Sequence, residues 1–271
     1  MTFDSLRFTY FLGSVALSLA NQQAQAQEFN GEHHWALGIG IGTYSVPDYP
    51  GSSHIKQFTA PIPYVHYQGP HIKLADGKIS SLIFKSNKLL IDMSIDGTPP
   101  VKSKNNSARN GMPDLDPVLE LGPEFSYYFW KNNKSKLYLS LPIHYGFALN
   151  KNGIQTISWS SNPRLKFNFK RGFWKLKLGV GPVYASRQHH DFYYSIALNE
   201  TNTQRHTYQS DGKFGGLRYS LGLQMKRSHF KYDAYIRYNE LKNADFSNSP
   251  LLKNKHDVLG AMAITWVFRQ Q

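Results

Sequence analysis

The sequence predicts an all-β protein, a single antiparallel transmembrane β-barrel of about 12 strands in the outer membrane of a Gram-negative bacterium. Three observations predict it. The N-terminus has the build of an export signal, the remainder alternates apolar and polar side chains with a period of two, and no later segment suits a membrane helix. The longest largely apolar run after the signal, Val258 to Phe268, has 11 residues and contains Gly260 and Thr265. A membrane helix needs about 20.

The export signal is expected over residues 1–26, leaving one barrel domain over 27–271. Arg7 precedes an apolar stretch from Phe8 to Ala20, and Ala24-Gln25-Ala26 forms a small-residue cleavage site, with Ser18-Leu19-Ala20 as the alternative. The chain has no cysteine, so disulfides and thiolate metal sites are excluded. Only 41% of its residues are hydrophobic and the mean hydropathy is −0.46, values that suit a soluble protein. A barrel resolves the conflict, because its strands show apolar side chains to lipid and polar ones to the lumen. The 14% aromatic content supplies interfacial girdles. The net charge of +13 points, in an exported protein, to lipopolysaccharide, anionic lipid and murein as partners rather than nucleic acid.

The alternation begins at once: Trp35, Leu37, Ile39 and Ile41 share one face, and Ala36, Gly38, Gly40 and Gly42 the other. The longest apolar series, Leu137 to Leu149, faces away from Lys136, Tyr138, Ser140 and His144. Arg171-Gly172 turns the clearest hairpin, whose arms carry Leu165, Phe167 and Phe169 and then Trp174, Leu176 and Leu178. The closing strand carries Val258, Met262, Ile264, Trp266 and Phe268. Strands are expected near 34–45, 57–74, 78–85, 88–97, 117–131, 135–149, 156–170, 173–187, 191–198, 213–226, 229–240 and 256–268, and ten or fourteen are compatible with the same pattern. An even count brings both ends to the periplasm.

Four strings in order resemble the MipA/OmpV family of outer-membrane proteins. They are Pro47-Asp48-Tyr49-Pro50-Gly51-Ser52, Ala60-Pro61-Ile62-Pro63-Tyr64, Ala108-Arg109-Asn110-Gly111-Met112-Pro113-Asp114-Leu115-Asp116, and Ser249-Pro250-Leu251. The resemblance covers essentially the whole mature chain. It implies a non-catalytic scaffold that holds a lytic transglycosylase and a penicillin-binding protein together at the envelope. Adhesion and stress responses are also associated with the family.

Two features are candidates for function. The segment from Gly97 to Asp116 carries Arg109, Asp114 and Asp116 around Met112, and by the strand count it faces the periplasm, as a partner-binding element of a scaffold would. The ordinary reading is a turn in which the carboxylates accept backbone hydrogen bonds and pair with Arg109; a shift of one strand would put the segment at the cell surface and favour an adhesin. The second feature is the lumen. Asp92, Asp96, Glu120 and Glu124 lie on early strands, while Arg164, Lys166, Lys175, Lys177, Lys231 and Arg237 point inward from later ones. Such segregation suits a narrow pore for small polar solutes, unless the groups pair across the lumen and plug it. No nucleophile motif frames Ser107 or Ser160. Adjacent histidines such as His189-His190, placed on a strand, point to opposite faces and do not chelate one ion. Neither catalysis nor a cofactor is expected.

Overall fold

The computed structural model describes residues 34–75, 78–151 and 153–270; the export signal expected at 1–26 lies outside them. The strands are β1 His34–Pro47, β2 Ile55–Gln68, β3 Ile72–Ala75, β4 Lys78–Lys85, β5 Leu89–Thr98 and β6 Val118–Lys131. β7 runs in two pieces, Ser135–Pro142 and His144–Asn150, as does β8, Gly153–Ser161 and Arg164–Arg171. β9 Trp174–Ala185 is followed by a helix, α1 Arg187–Tyr194, then β10 Phe214–Arg227, β11 Phe230–Glu240 and β12 His256–Gln270. Each strand pairs antiparallel with the next and β12 pairs with β1, so twelve strands close into a barrel with no free edge.

Alternation along the strands sets what each face meets. Ile39, Ile41, Leu165, Leu178, Leu221, Ile236, Met262 and Ile264 are all exposed, forming the apolar outer band that lipid covers. Their neighbours turn inward, where Tyr128 stacks on Tyr138 at 5.1 Å between ring centroids and Leu90 and Leu82 pack beside them. Gly38 and Gly40 face inward against β12, where an added Cβ would crowd the Trp266 and Ile264 carbonyls.

Four prolines interrupt four successive strands: Pro123 in β6, Pro142 in β7, Pro163 in β8 and Pro182 in β9. Proline brings no N–H to a ladder, so its neighbours must be satisfied otherwise. Ile143 N donates to the Pro123 carbonyl at 2.9 Å, Ser161 Oγ to that of Pro142 at 2.5 Å, and Asn162 Nδ2 to that of Pro182 at 2.6 Å. Gly122 and Gly181 let the wall close tightly along this line, since a Cβ there would overlap the Ile143 and Pro163 carbonyls.

The expected count of 12 survives two compensating differences. The expected strand 57–74 is two strands, because Gly69 and Pro70 reverse the chain between β2 and β3, with Gly69 N bonded to the Ile72 carbonyl at 3.0 Å. The expected strand 191–198 is instead the C-terminal half of α1 and the start of an irregular connection. Ser186 caps that helix, its Oγ accepting from His189 N at 3.1 Å, and a helical period buries His190, Tyr193 and Tyr194 together. An aromatic-rich run carries high strand propensity; the capping serine outweighs it here.

Splitting 57–74 reverses the sense of β4 and β5 relative to expectation. The connection 99–117 therefore lies at the end opposite both ends of the barrel, together with connections 48–54, 186–213 and 241–255. The tight turns 69–71, 86–88, 132–134, 172–173 and 228–229 occupy the end where β1 begins and β12 finishes.

Candidate functional site: a capped mouth above a charged lumen

The four long connections fold onto one another. Tyr49, Val101, Ala108, Met112, Leu115, Tyr193, Tyr194, Ile196, Leu241, Ala244, Phe246 and Leu251 form one buried apolar cluster. Polar ties complete it: Tyr49 donates to the Leu251 carbonyl at 2.9 Å, Tyr194 to the Pro50 carbonyl at 2.8 Å, and Ser249 Oγ to the Tyr194 carbonyl at 2.7 Å. Asp48 ties its own connection to the next, meeting Lys56 at 2.8 Å, His54 at 3.0 Å and Asn106 Nδ2 at 2.8 Å. Arg205, which no sequence pattern singles out, reaches back to the carbonyls of Ala108 at 2.8 Å and Glu200 at 2.7 Å.

This cap is anchored to the lumen on several sides. Gly51 N donates to Asp257 Oδ2 of β12 at 2.7 Å, Tyr193 hydrogen-bonds Thr98 of β5 at 3.1 Å, and His189 bonds Glu120 of β6 at 3.1 Å. α1 thus lies across the barrel opening rather than beside it. Burial shifts the groups inside the cap: it pushes the Tyr49 phenol up to about 12, raises Tyr193 and Tyr194, and lowers the His190 imidazole to about 3. The Arg109 guanidinium, also lowered by burial, sits 5.9 Å over the Tyr49 ring.

The four residues expected to bind a partner divide. Arg109 is 4% exposed and Met112 is 8% exposed, both turned into the cap. Arg109 donates to the carbonyls of Tyr193 at 3.1 Å and Pro113 at 3.3 Å. Asp114 pairs with Lys102 at 2.7 Å instead of Arg109 and accepts from Ser103 N at 2.8 Å, which hold its carboxyl below the usual range. Asp116 comes next, half-buried, beside the start of β6.

The charges named for the lumen lie on inward strand positions. Asp92 lies directly opposite Glu124, and Asp96 opposite Glu120, across β5 and β6. Arg164, Lys166, Lys175, Lys177, Lys231 and Arg237 alternate with exposed apolar residues on β8, β9 and β11, so they point inward. Lys166 Nζ joins the two sets by meeting Glu124 at 3.2 Å, with Ser140 Oγ donating to the same carboxylate at 2.7 Å. Lys231 meets Asp233 at 3.1 Å. The sequence pattern assigns no role to Asp257, and it notes His144 and His189 only as an inward residue and as half of an adjacent histidine pair. Ser94 Oγ meets His144 Nε2 at 2.7 Å, yet Ser94 is 0% exposed. Among the described residues no group of three or more His, Asp or Glu is placed to hold a metal ion.

Three of the four strings noted in the sequence converge here: Tyr49 and Ser52, Arg109 and Met112, and Ser249 and Leu251 all build the cap. The family described as MltA-interacting protein MipA matches residues 39–268. The chain belongs to that family. It is an outer-membrane β-barrel of the MipA family, and what distinguishes it from a plain barrel is the cap those strings form. No curated protein matches it. Among solved structures, the NanC porin is similar at 7% identity and TM-score 0.41, over 85% of this chain and 99% of that one. The outer-membrane protease OmpT of Escherichia coli is similar at 10% identity and TM-score 0.33, over 90% and 99%. The outer-membrane phospholipase A of Escherichia coli is similar at 11% identity and TM-score 0.34, over 93% and 97%. These are likenesses between barrels and carry nothing about task.

Proposed function

We propose that this MipA-family barrel is a sealed, non-catalytic platform that docks murein-cleaving and murein-synthesising enzymes at the envelope. The observation that carries the reading is the cap: four connections share one apolar core across the barrel mouth, an arrangement suited to closing a path rather than gating it. The Lys166–Glu124 pair inside the lumen supports the same reading against a pore, because paired buried charges fill the space a solute would need. A buried Ser94 argues against hydrolysis, since a nucleophile must reach its substrate.

The docking face in this reading is the short-turn end. Barrels of this kind keep short turns and both termini toward the periplasm, which puts the tight turns, rather than the 97–116 segment, within reach of murein enzymes. Arg109 and Met112 serve the cap, and Asp114 and Asp116 are left as its outer surface. An affinity matrix bearing the folded protein should retain a lytic transglycosylase or a penicillin-binding protein from a mild-detergent envelope extract. Repeated failure to retain either overturns the proposal. Purified protein in planar bilayers should show no conductance above background, and steady single-channel currents would restore the pore reading.

A further inference from the structure

Closure gives every strand a neighbour on both sides, but one contact is brief. β3 and β4 form a short hairpin that meets β2 only through Tyr67–Leu74 and Gln68–Lys73. From Ile55 to Tyr64 the side of β2 away from β1 has no strand beside it among the described residues. Across the space, Ile95 to Thr98 of β5 pair with β6 alone among the described strands. Lys56 closes the top of this low place in the wall, its Nζ donating to the Pro100 carbonyl at 3.3 Å. Proline marks the same stretch. Pro61 and Pro63 carry no N–H, and a strand accepts proline where that N–H would point away from its partner. They thus remove two of the donors that an open edge would leave unsatisfied in lipid. Pro61 lies opposite Ile41 and Pro63 opposite Ile39, so the low wall falls within the apolar outer band. The string Ala60 to Tyr64, the one of the four that takes no part in the cap, forms its edge.

Inside this edge the wall of the lumen is uncharged. Gly38 and Gly40 of β1, Ala60 and Ile62 of β2, and Ala261 and Ala263 of β12 share the inner face, and all are only part-buried. Glycine and alanine leave room along this strip, whereas β8, β9 and β11 fill their side of the lumen with Lys166, Lys177 and Arg237. Lys231, 5.0 Å over the Tyr64 ring, bounds the strip toward the short turns. At its other end Tyr44 points inward, its ring 4.9 Å from that of Phe58. Tyr44 is 7% exposed, and its Oη has no hydrogen-bond partner among the described residues. A buried hydroxyl without a partner points to an acceptor supplied from outside. We propose that the low wall is a lateral portal through which one ester-linked acyl chain of a membrane lipid enters the lumen, its carbonyl accepting from Tyr44 Oη and its tail lying along the strip. From Tyr44 to Gly38 the strip runs about 20 Å at the rise of a strand, the reach of an ordinary acyl chain. The cap and the Lys166–Glu124 pair close the barrel along its axis while the portal opens it sideways, so this inference goes beyond the docking reading and does not rest on it.

The test reconstitutes the full folded protein into phosphatidylcholine vesicles doped with a phosphatidylcholine that carries a diazirine near the end of one ester-linked chain. Photolysis is followed by mapping of the labelled residues by mass spectrometry. Inward Ala60, Ile62 and Ala263 should be labelled together with outward Ile41 and Ile264, while Asn168 and Lys177, on the charged side of the lumen, should stay clean. Ala263→Trp, which fills the strip, should lose the inward labels and keep the outward ones. Tyr44→Phe, which keeps the ring packing, should lower the inward labelling about fivefold, the worth of one hydrogen bond. An ether-linked analogue of the probe should label the unaltered protein at that same lower level. In every case the outward labels measure the folded protein in the bilayer. Labels confined to outward residues, equal labelling of Asn168 or Lys177, or equal inward labelling by the ester and ether lipids each overturns the proposal.

Discussion

The Tyr194 ring lies flat on Phe246, 3.8 Å between centroids and 7° between planes, and so fastens the helix of one connection to the turn of another. Both rings are fully buried. Phe246→Ala should remove about 3–5 kcal/mol from this contact. Limited proteolysis should then cut the connection 186–213 faster while the strands stay resistant. Unchanged cleavage would mean that the cap is held mainly elsewhere.

The cap should loosen in mild acid. Burial, with a smaller contribution from neighbouring His189, lowers His190 from 6.5 to about 3. In the unfolded cap the same imidazole takes up a proton as pH drops below 6.5, while in the folded cap it does not. Its contribution is therefore fully present above pH 6.5 and lost progressively toward pH 3, at up to about 1.4 kcal/mol per pH unit. Amide exchange of α1 should be faster at pH 5 than at pH 7.5, and His190→Gln should flatten the difference. An equal pH response in the variant would refute the assignment.

The bridging charges make a second test. Lys166→Met takes the ion pair from buried Glu124, which keeps its hydrogen bond from Ser140, and should cost about 3–5 kcal/mol. Adding Glu124→Gln should recover much of that loss, because no uncompensated charge remains. Thermal midpoints in one detergent decide between this coupling and simple additivity.

Two glycines with left-handed backbone should respond unequally to alanine. Gly51 has φ +80° and Gly111 has φ +84°, but a Cβ on Gly51 would collide with Leu252 whereas one on Gly111 meets nothing within 4 Å. Gly111→Ala should cost only the conformational term, about 1–2 kcal/mol. Gly51→Ala should cost more and release the connection 241–255, visible as faster exchange at Leu251 and Leu252.

The barrel itself was legible because lipid on one side and charge on the other force a period of two onto every wall strand. What escaped was the outcome of local chemistry over a few residues. Gly69 and Pro70 end β2 where a run of strand-forming residues continues on both sides, and Ser186 starts a helix in front of aromatic residues that favour strands. The two differences cancel in the count but not in the direction of the chain, which is why the 97–116 segment was expected at the wrong end. The cap could not be read from periodicity, since its contacts join residues as distant as Tyr49 and Leu251, 202 positions apart, and Arg109 and Tyr193, 84 apart.

The line of four prolines bears on how the mouth is closed. Beyond it, Val118, Ala148 and Ile157 leave the pattern of a plain wall and pack with Phe192 of the helix, while Gln188 donates to the Thr156 carbonyl at 3.1 Å. This stretch of wall, from β6 to β8, therefore serves as one side of the lid. Lid and tube are consequently not separable parts. Excising residues 187–194 would strip Ala148 and Ile157 of their packing, so the product would be a barrel with a failing wall rather than an open one.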